Sequence, residues 1–303
     1  MRTFLRRLGI GLGVVVLLAV VAAAGLHLAG GRKLARTYAV TPRPPAEPVA
    51  DSALLARGQH VATALAKCAA CHGDDLGGRV FIDDPALGRL SASNLTPGGP
   101  TAAYTLADWD RAVRHGVRPD GRGLLVMPSD EFVHLSDHDF AAVVAYLRQL
   151  PPVTRELPPT TLRFVGRALL ATNQLPMIPA ARIDHAAPTS PPAPGVTREY
   201  GRYLAVVGGC TGCHGATLAG GPYGEPGAPP AANLTPTGIG QWTEADFRRA
   251  LRDGVRPNGS PISDKMPWKY TRLMTDDEIA ALYMYVRSVP PRALGEREEA
   301  GSQ

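Results

Sequence analysis

The sequence predicts an all-α fold of two tandem domains behind an N-terminal transmembrane helix, on three observations. An uncharged run of 22 residues, Leu8 to Ala29, opens the chain. Residues 51–152 and 198–291 repeat one unit of near-equal length. Within each copy, helix-start signals precede apolar residues at helical spacing, and no strand-like alternation is visible.

As a helix the opening run would span about 30 Å, the thickness of a bilayer's hydrocarbon. Arg2, Arg6 and Arg7 precede it, favouring a cytoplasmic start, while Arg32, Lys33 and Arg36 follow and weaken that bias. The alternative is a cleaved signal peptide with Ala22-Ala23-Ala24 as its A-x-A site. The apolar run exceeds the usual length of such a signal, so an uncleaved anchor is expected; on either reading the remainder is exported. Thr41 to Pro48 is Pro-rich and reads as a stiff spacer. Residues 1–50 are thus the anchor and spacer, 51–152 the first domain, 153–197 a Pro-rich linker with one helical piece around Leu162–Leu175, 198–291 the second domain and 292–303 a polar tail.

Net charge is +5, but its distribution excludes a nucleic-acid-binding face. Residues 1–50 hold seven Arg/Lys against one acid, residues 51–152 nine against twelve, and residues 198–291 ten against nine. The excess sits in the anchor segment.

The copies align residue by residue. Gly58 matches Gly201, and Cys68-Ala-Ala-Cys71-His72-Gly73 matches Cys210-Thr-Gly-Cys213-His214-Gly215. Asn-Leu-Thr-Pro recurs at 94–97 and 233–236, Gly-Val-Arg-Pro at 116–119 and 254–257, and Met-Pro at 127–128 and 266–267. Asn-to-Met spacing is 33 residues in both. Thr105-x-x-Asp108 and Thr243-x-x-Asp246 open short helices, and Ser136-x-x-Asp139 and Thr275-x-x-Glu278 open longer ones. Phe140, Val143, Val144 and Leu147 then recur at i, i+3, i+4, i+7, as do Ile279, Leu282, Tyr283 and Val286. Residues 52–66 and 198–207 read as helices leading into each cysteine motif.

All four cysteines fall into the two Cys-x-x-Cys-His motifs. Two thiols so spaced can add to the two vinyl groups of one haem, and the adjacent His supplies an axial iron ligand. Zinc would ask for four convergent ligands, a redox pair for a βαβ setting, and a structural disulfide leaves His72 and His214 unexplained. The reading is therefore two covalently bound haems c. Met127 and Met266, 55 and 52 residues after their His, are the candidate second axial ligands; a plain core role is the alternative. Met177 and Met274 lack counterparts and read as packing residues. His60, His115, His134 and His138 align with Tyr203, Asp253, Leu273 and Asp277, which argues against shared bis-His ligation and reads them as surface residues. Asn94 and Asn233 are either propionate partners or turn residues, and Arg118 and Arg256 are weaker propionate candidates.

These residues resemble class I cytochrome c domains over nearly all of both copies. The resemblance implies a helix crossing in which Gly58 meets Tyr146 and Gly201 meets Tyr285. Residues 233–242 and Met266-Pro267-Trp268 are similar to the cytochrome subunits of membrane-bound alcohol and gluconate dehydrogenases, which usually carry three haems where this chain has two motifs. The function implied is electron relay from a dehydrogenase or quinol-linked complex to a respiratory acceptor, from the periplasmic face of a bacterial membrane. No acid–base pair or nucleophile is needed for that. Alternatives are a dihaem peroxidase or sulfur-compound dehydrogenase, which needs an open iron position, and the electron-entry subunit of a haem-copper oxidase.

Overall fold

A computed structural model describes residues 2–187, 190–223 and 228–297, so residues 298–303 of the polar tail lie outside the described residues. The opening run lies within one long helix, α1 (Arg2–Ala35), whose only buried residue is Gly30. Among the described residues it is the one helix long and apolar enough to cross a membrane.

The first copy begins with α2 (Ser52–His60), capped by Asp51, and continues as a π turn over Val61–Leu65. The turn has a countable cause. Gly58 stands ten residues before Cys68, whereas Gly201 stands nine before Cys210. One extra residue in an otherwise helical run is absorbed by a π bulge. Then follow α3 (Ala69–His72), α4 (Leu106–Val113), α5 (Ser129–Phe132) and α6 (Asp137–Arg148). After α7 (Phe164–Ala171) in the linker, the second copy runs α8 (Arg198–Val207), α9 (Cys210–His214), α10 (Pro236–Ile239), α11 (Glu244–Asp253), α12 (Trp268–Thr271) and α13 (Asp276–Ser288). Capping boxes at Thr105, Thr243 and Thr275 are complete, while Ser136 caps through its own hydroxyl.

The fold is mostly helical, with one addition that the sequence pattern hides. β1 (Arg79–Asp84) and β2 (Gly88–Ala92) form an antiparallel hairpin, and β3 (Thr161–Leu162) from the linker joins its edge. A bulge between Val80 and Ile82 breaks the period of two, and β3 lies some seventy positions from its partner, outside any local window.

In each copy the first and last helices cross at a glycine. A Cβ on Gly58 would overlap the Ala142 carbonyl and stand 2.8 Å from Tyr146 Cβ; on Gly201 it would overlap the Ala281 carbonyl and stand 2.8 Å from Tyr285 Cβ. One continuous core takes Val61, Leu65, Phe140 and Val144 from the first copy and Leu204, Ile279, Leu282 and Val286 from the second. The copies therefore pack together rather than hang on the linker.

Polar contacts between the copies come in exchanged pairs. His60 Nε2 meets Glu278 at 2.8 Å, and Tyr203, the counterpart of His60, donates to Asp139, the counterpart of Glu278, at 2.7 Å. Arg57 spans both carboxylates, at 2.7 Å from Asp139 and 3.2 Å from Glu278. Helix α12 packs on the π turn as α5 packs on α8. His60 is thus an interface residue rather than a surface one.

A smaller core joins α1 to the first copy. Leu90, Val117, Leu162, Leu170, Met177 and Ile178 gather there with Leu34 and Tyr38 against them. Lys33 Nζ donates to the last carbonyls of α7, Leu170 O at 2.9 Å and Ala171 O at 2.8 Å. The Pro-rich spacer is extended but tied down: Tyr38 N donates to Gly121 O at 2.9 Å, Arg43 N to Asp110 at 2.8 Å, and Glu47 pairs with Arg148.

Candidate haem sites

Each motif starts on a left-handed residue, Lys67 (φ 52) or Gly209 (φ 69), that turns the chain into a single helical turn. One turn brings residues three apart to the same side, so Cys68 and Cys71, and Cys210 and Cys213, share a face. Gly73 (φ 83) and Gly215 (φ 77) end the turns. The carbonyls of His72 and His214 then accept the amides of Gly78 and Gly220, both at 2.8 Å.

The imidazoles are held alike. His72 Nδ1 lies 2.7 Å from Ser93 O, and His214 Nδ1 lies 2.7 Å from Ala232 O. A carbonyl only accepts, so Nδ1 carries the proton and Nε2 keeps its lone pair, the state a metal ligand requires. Burial depresses both histidine pKa values and keeps the rings neutral. Burial also pushes the Cys68 thiol up to about 12 and raises those of Cys71 and Cys210.

Asn94 is 2% exposed, and the structure gives it the turn role. Its Oδ1 accepts from Thr96 N at 2.9 Å and Thr96 Oγ1 at 2.7 Å, while Nδ2 donates to Val153 O at 2.6 Å. Asn233 repeats this with Thr235 and Arg292 O. The loop is pinned to the segment after the motif, as Leu95 N donates to Leu76 O and Leu234 N to Leu218 O, both at 2.9 Å. Leu76 and Leu218 share a left-handed backbone (φ 55 and 60).

Met127 and Met266 sit at one turn geometry. Pro128 (φ −79, ψ 55) and Pro267 (φ −78, ψ 48) have the backbone of an inverse γ-turn, and the Met carbonyls accept from Ser129 N at 2.8 Å and Trp268 N at 2.7 Å. Proline fixes the φ that this turn needs. Both methionines are half-buried against the same core as Cys68 and Cys210. In the second copy one cavity is lined by Cys210, Cys213, His214, Met266 and Arg256. Ala64, Leu65 and Lys67 of the first copy close its wall, a contribution that no repeat alignment signals.

Other histidines and methionines fall elsewhere. His115 is buried, with Nδ1 3.0 Å from His185 Nδ1, which corrects its surface reading; His134 and His138 are exposed. Met177 and Met274 are buried packing residues. Among the described residues no three His, Cys, Asp or Glu side chains converge as a zinc cage would need. Two adjacent thiols, one neutral imidazole with a committed Nδ1 and a thioether against the same apolar walls fit a covalently held haem.

The sequence profile described as "Cytochrome c" matches residues 199–290, and that described as "Cytochrome C oxidase, cbb3-type, subunit III" matches residues 53–147. Residues 53–147 and 199–290 are thus two cytochrome c domains in tandem, behind a long apolar helix. It is 32% identical, over 89% of its length, to the cytochrome c subunit of a quinone alcohol dehydrogenase from Gluconacetobacter polyoxogenes. It is also 32% identical, over 82% of its length, to the cytochrome subunit of fructose dehydrogenase from Gluconobacter japonicus. These matches cover 61% and 56% of the relatives, so the chain spans about three fifths of their length. A "Diheme cytochrome c-type" protein of Cereibacter sphaeroides is 27% identical over 74% of this chain and 82% of its own.

Proposed function

We propose that this chain is a dihaem cytochrome c that relays electrons. Cys68, Cys71, His72 and Met127 hold one haem, and Cys210, Cys213, His214 and Met266 the other. A haem held this way supplies an iron that alternates between ferric and ferrous states. The protein's share is positional. The thiols would fix the ring, the Ser93 and Ala232 carbonyls orient the two imidazoles, and the Met-Pro turns hold a thioether against the same apolar core. The common core keeps the two sites in one rigid unit.

The observation that carries this reading is the matched pair of sites: in each, a His tautomer fixed for metal binding and a Met on a proline-locked turn share one apolar core. A thioether for each iron argues against a peroxidase or a sulfur-compound dehydrogenase, whose iron must be open to substrate. The names of the relatives support a dehydrogenase as donor, with a quinol-linked complex as the other candidate and a terminal oxidase or other respiratory acceptor downstream. The apolar α1 supports a single N-terminal span in the bacterial cytoplasmic membrane, with both domains in the periplasm.

Optical spectra of the oxidised and reduced protein test the assignment. Two haems per chain and a near-infrared-edge Met–Fe(III) band are expected, with half of that band lost in Met127→Ala, half in Met266→Ala and all of it in the double variant. High-spin iron in the untreated protein would refute the relay reading.

A further inference from the structure

The two motifs share a backbone but not the charges laid against them. Helix α5 of the first copy brings Glu131 over the second motif. Its Oε2 lies 2.9 Å from where a Cβ on Gly209 would stand, and its Oε1 2.6 Å from where one on Gly212 would stand. Any side chain at those positions would collide with the carboxylate, so the two glycines make its room. The exchanged position, over the first motif, is held by Tyr270 of α12, a phenol within electrostatic reach of Cys71, Asp74 and Arg79. The first motif also has a cation of its own. Arg79 Nε donates to Cys71 O at 3.3 Å, and its Nη2 donates to Ala70 O. In the second copy, Gly221 occupies the position of Arg79. Lys67 lies between the motifs, since it precedes Cys68 while its Nζ donates to Leu65 O at 3.0 Å and to Gly208 O. Lys67 also lies on the wall of the second cavity and opposes Glu131 there, so it moderates the carboxylate's effect.

We propose that this interface grades the two haems: Glu131 lowers the potential of the second and Arg79 raises that of the first, so that an electron received by the second copy passes to the first. The inference rests on the two-haem reading above. A nearby anion stabilises ferric over ferrous iron, and a nearby cation does the reverse. Arg79 is exposed and screened by water, so the larger share falls to the half-buried Glu131.

Glu131 also makes the grading depend on pH. Burial raises its pKa to about 7, with the Lys67 charge opposing and Asp130 adding to the rise. The other charges around it are Arg182, paired with Asp130 at 2.5 Å, His134 one turn on, and Arg202 of α8 facing His134. Above neutral pH Glu131 is a carboxylate and the gap between the haems is wide; below it the group is neutral and the gap narrows.

The test is a potentiometric titration of the full chain at pH 5.5 and 8.5, after a pyridine haemochrome count of two haems. Met266→His changes the second haem's own ligand candidate and lowers that haem's midpoint, so the midpoint it leaves in place marks the first haem of the unmodified protein. Two midpoints are expected, the second haem's the lower, with a separation that widens at pH 8.5. Glu131→Gln should raise the lower midpoint at pH 8.5, remove its pH dependence and leave the upper one in place. At a fixed potential near the lower midpoint, the ferrous-to-ferric ratio of the second haem should rise about tenfold, the order of effect of one partly buried charge about 10 Å away. Arg79→Gln should lower the upper midpoint by less. An unchanged midpoint in Glu131→Gln, or a lower midpoint that belongs to the first haem, overturns the proposal. If Glu131→Gln fails to take up haem, the unmodified protein decides, because a gap that is the same at both pH values overturns it too. A count below two haems fails the site assignment instead.

Discussion

At the scale of single residues, Asn94 carries a large share of its site's order. Its amide closes the turn after β2 and reaches Val153, at the end of the domain, so one side chain ties the motif side of the site to the chain's exit. Asn94→Ala would take the acceptor from the buried Thr96 hydroxyl and the donor from the half-buried Val153 carbonyl. The expected cost is about 1–3 kcal/mol, the range for orphaning one buried group. A urea titration of the loaded protein would measure it, and Asn233→Ala should behave alike. If either variant instead kept full stability but shifted a haem potential, the propionate role would be the right one. Which role Asn94 plays could not be read from the sequence, because the repetition marks the residue but not its partner. The Cys, His and Met positions were legible because their chemistry is local to a motif, and the turn proline sits beside each Met. Glu131 was not legible: its importance comes from where α5 lands on the other copy.

At the scale of elements, both copies depend on a helix crossing closer than ordinary side chains permit. Gly58→Ala would push α2 off α6, and Gly201→Ala would push α8 off α13. Overpacking of this kind costs about 1–3 kcal/mol and more where backbone is the obstacle, as it is here. Thermal unfolding should show losses at the upper end for each, and the damage should spread to both haem sites because the core is shared. Loss confined to one site would mean that the copies fold independently. The helices themselves were visible in the sequence through capping residues and apolar spacing. The π turn was visible only as a one-residue mismatch between the copies, and the hairpin was hidden by its bulge and by a distant third strand.

At the scale of the whole molecule, the charged contacts between the copies should make their union acid-labile. Burial alone would raise the pKa of Glu278, but hydrogen bonds from His60 and Thr275 N, with the Arg57 charge, outweigh it and hold the group below its ordinary value. Asp139 is likewise held low against burial by Arg57 and Tyr203. A carboxylate with a depressed folded pKa adds stability that is fully present above its unfolded value, about 4 to 4.5, and is lost as pH falls through the folded one. The share of stability that these two carboxylates contribute should therefore be flat from neutral pH to about 5 and drop below about 4. Glu278→Gln should flatten part of that drop and lower stability at pH 7. Denaturation midpoints across that range would check both, and an acid limb unchanged in the variant would refute the assignment.

The exchanged contacts reach further than stability. Where His60 of one copy meets Glu278 of the other, the second copy returns Tyr203 to Asp139, and α5 on α8 answers α12 on the π turn. That reciprocity is the signature of an isologous interface, the kind by which two identical subunits close on each other. A single-domain ancestor carrying this surface would have formed a symmetric homodimer with two equal haems, unable to favour either direction. Fusing the subunits into one chain freed each half to change alone, and a carboxylate on one side and an arginine on the other are changes that no homodimer could have kept unequal.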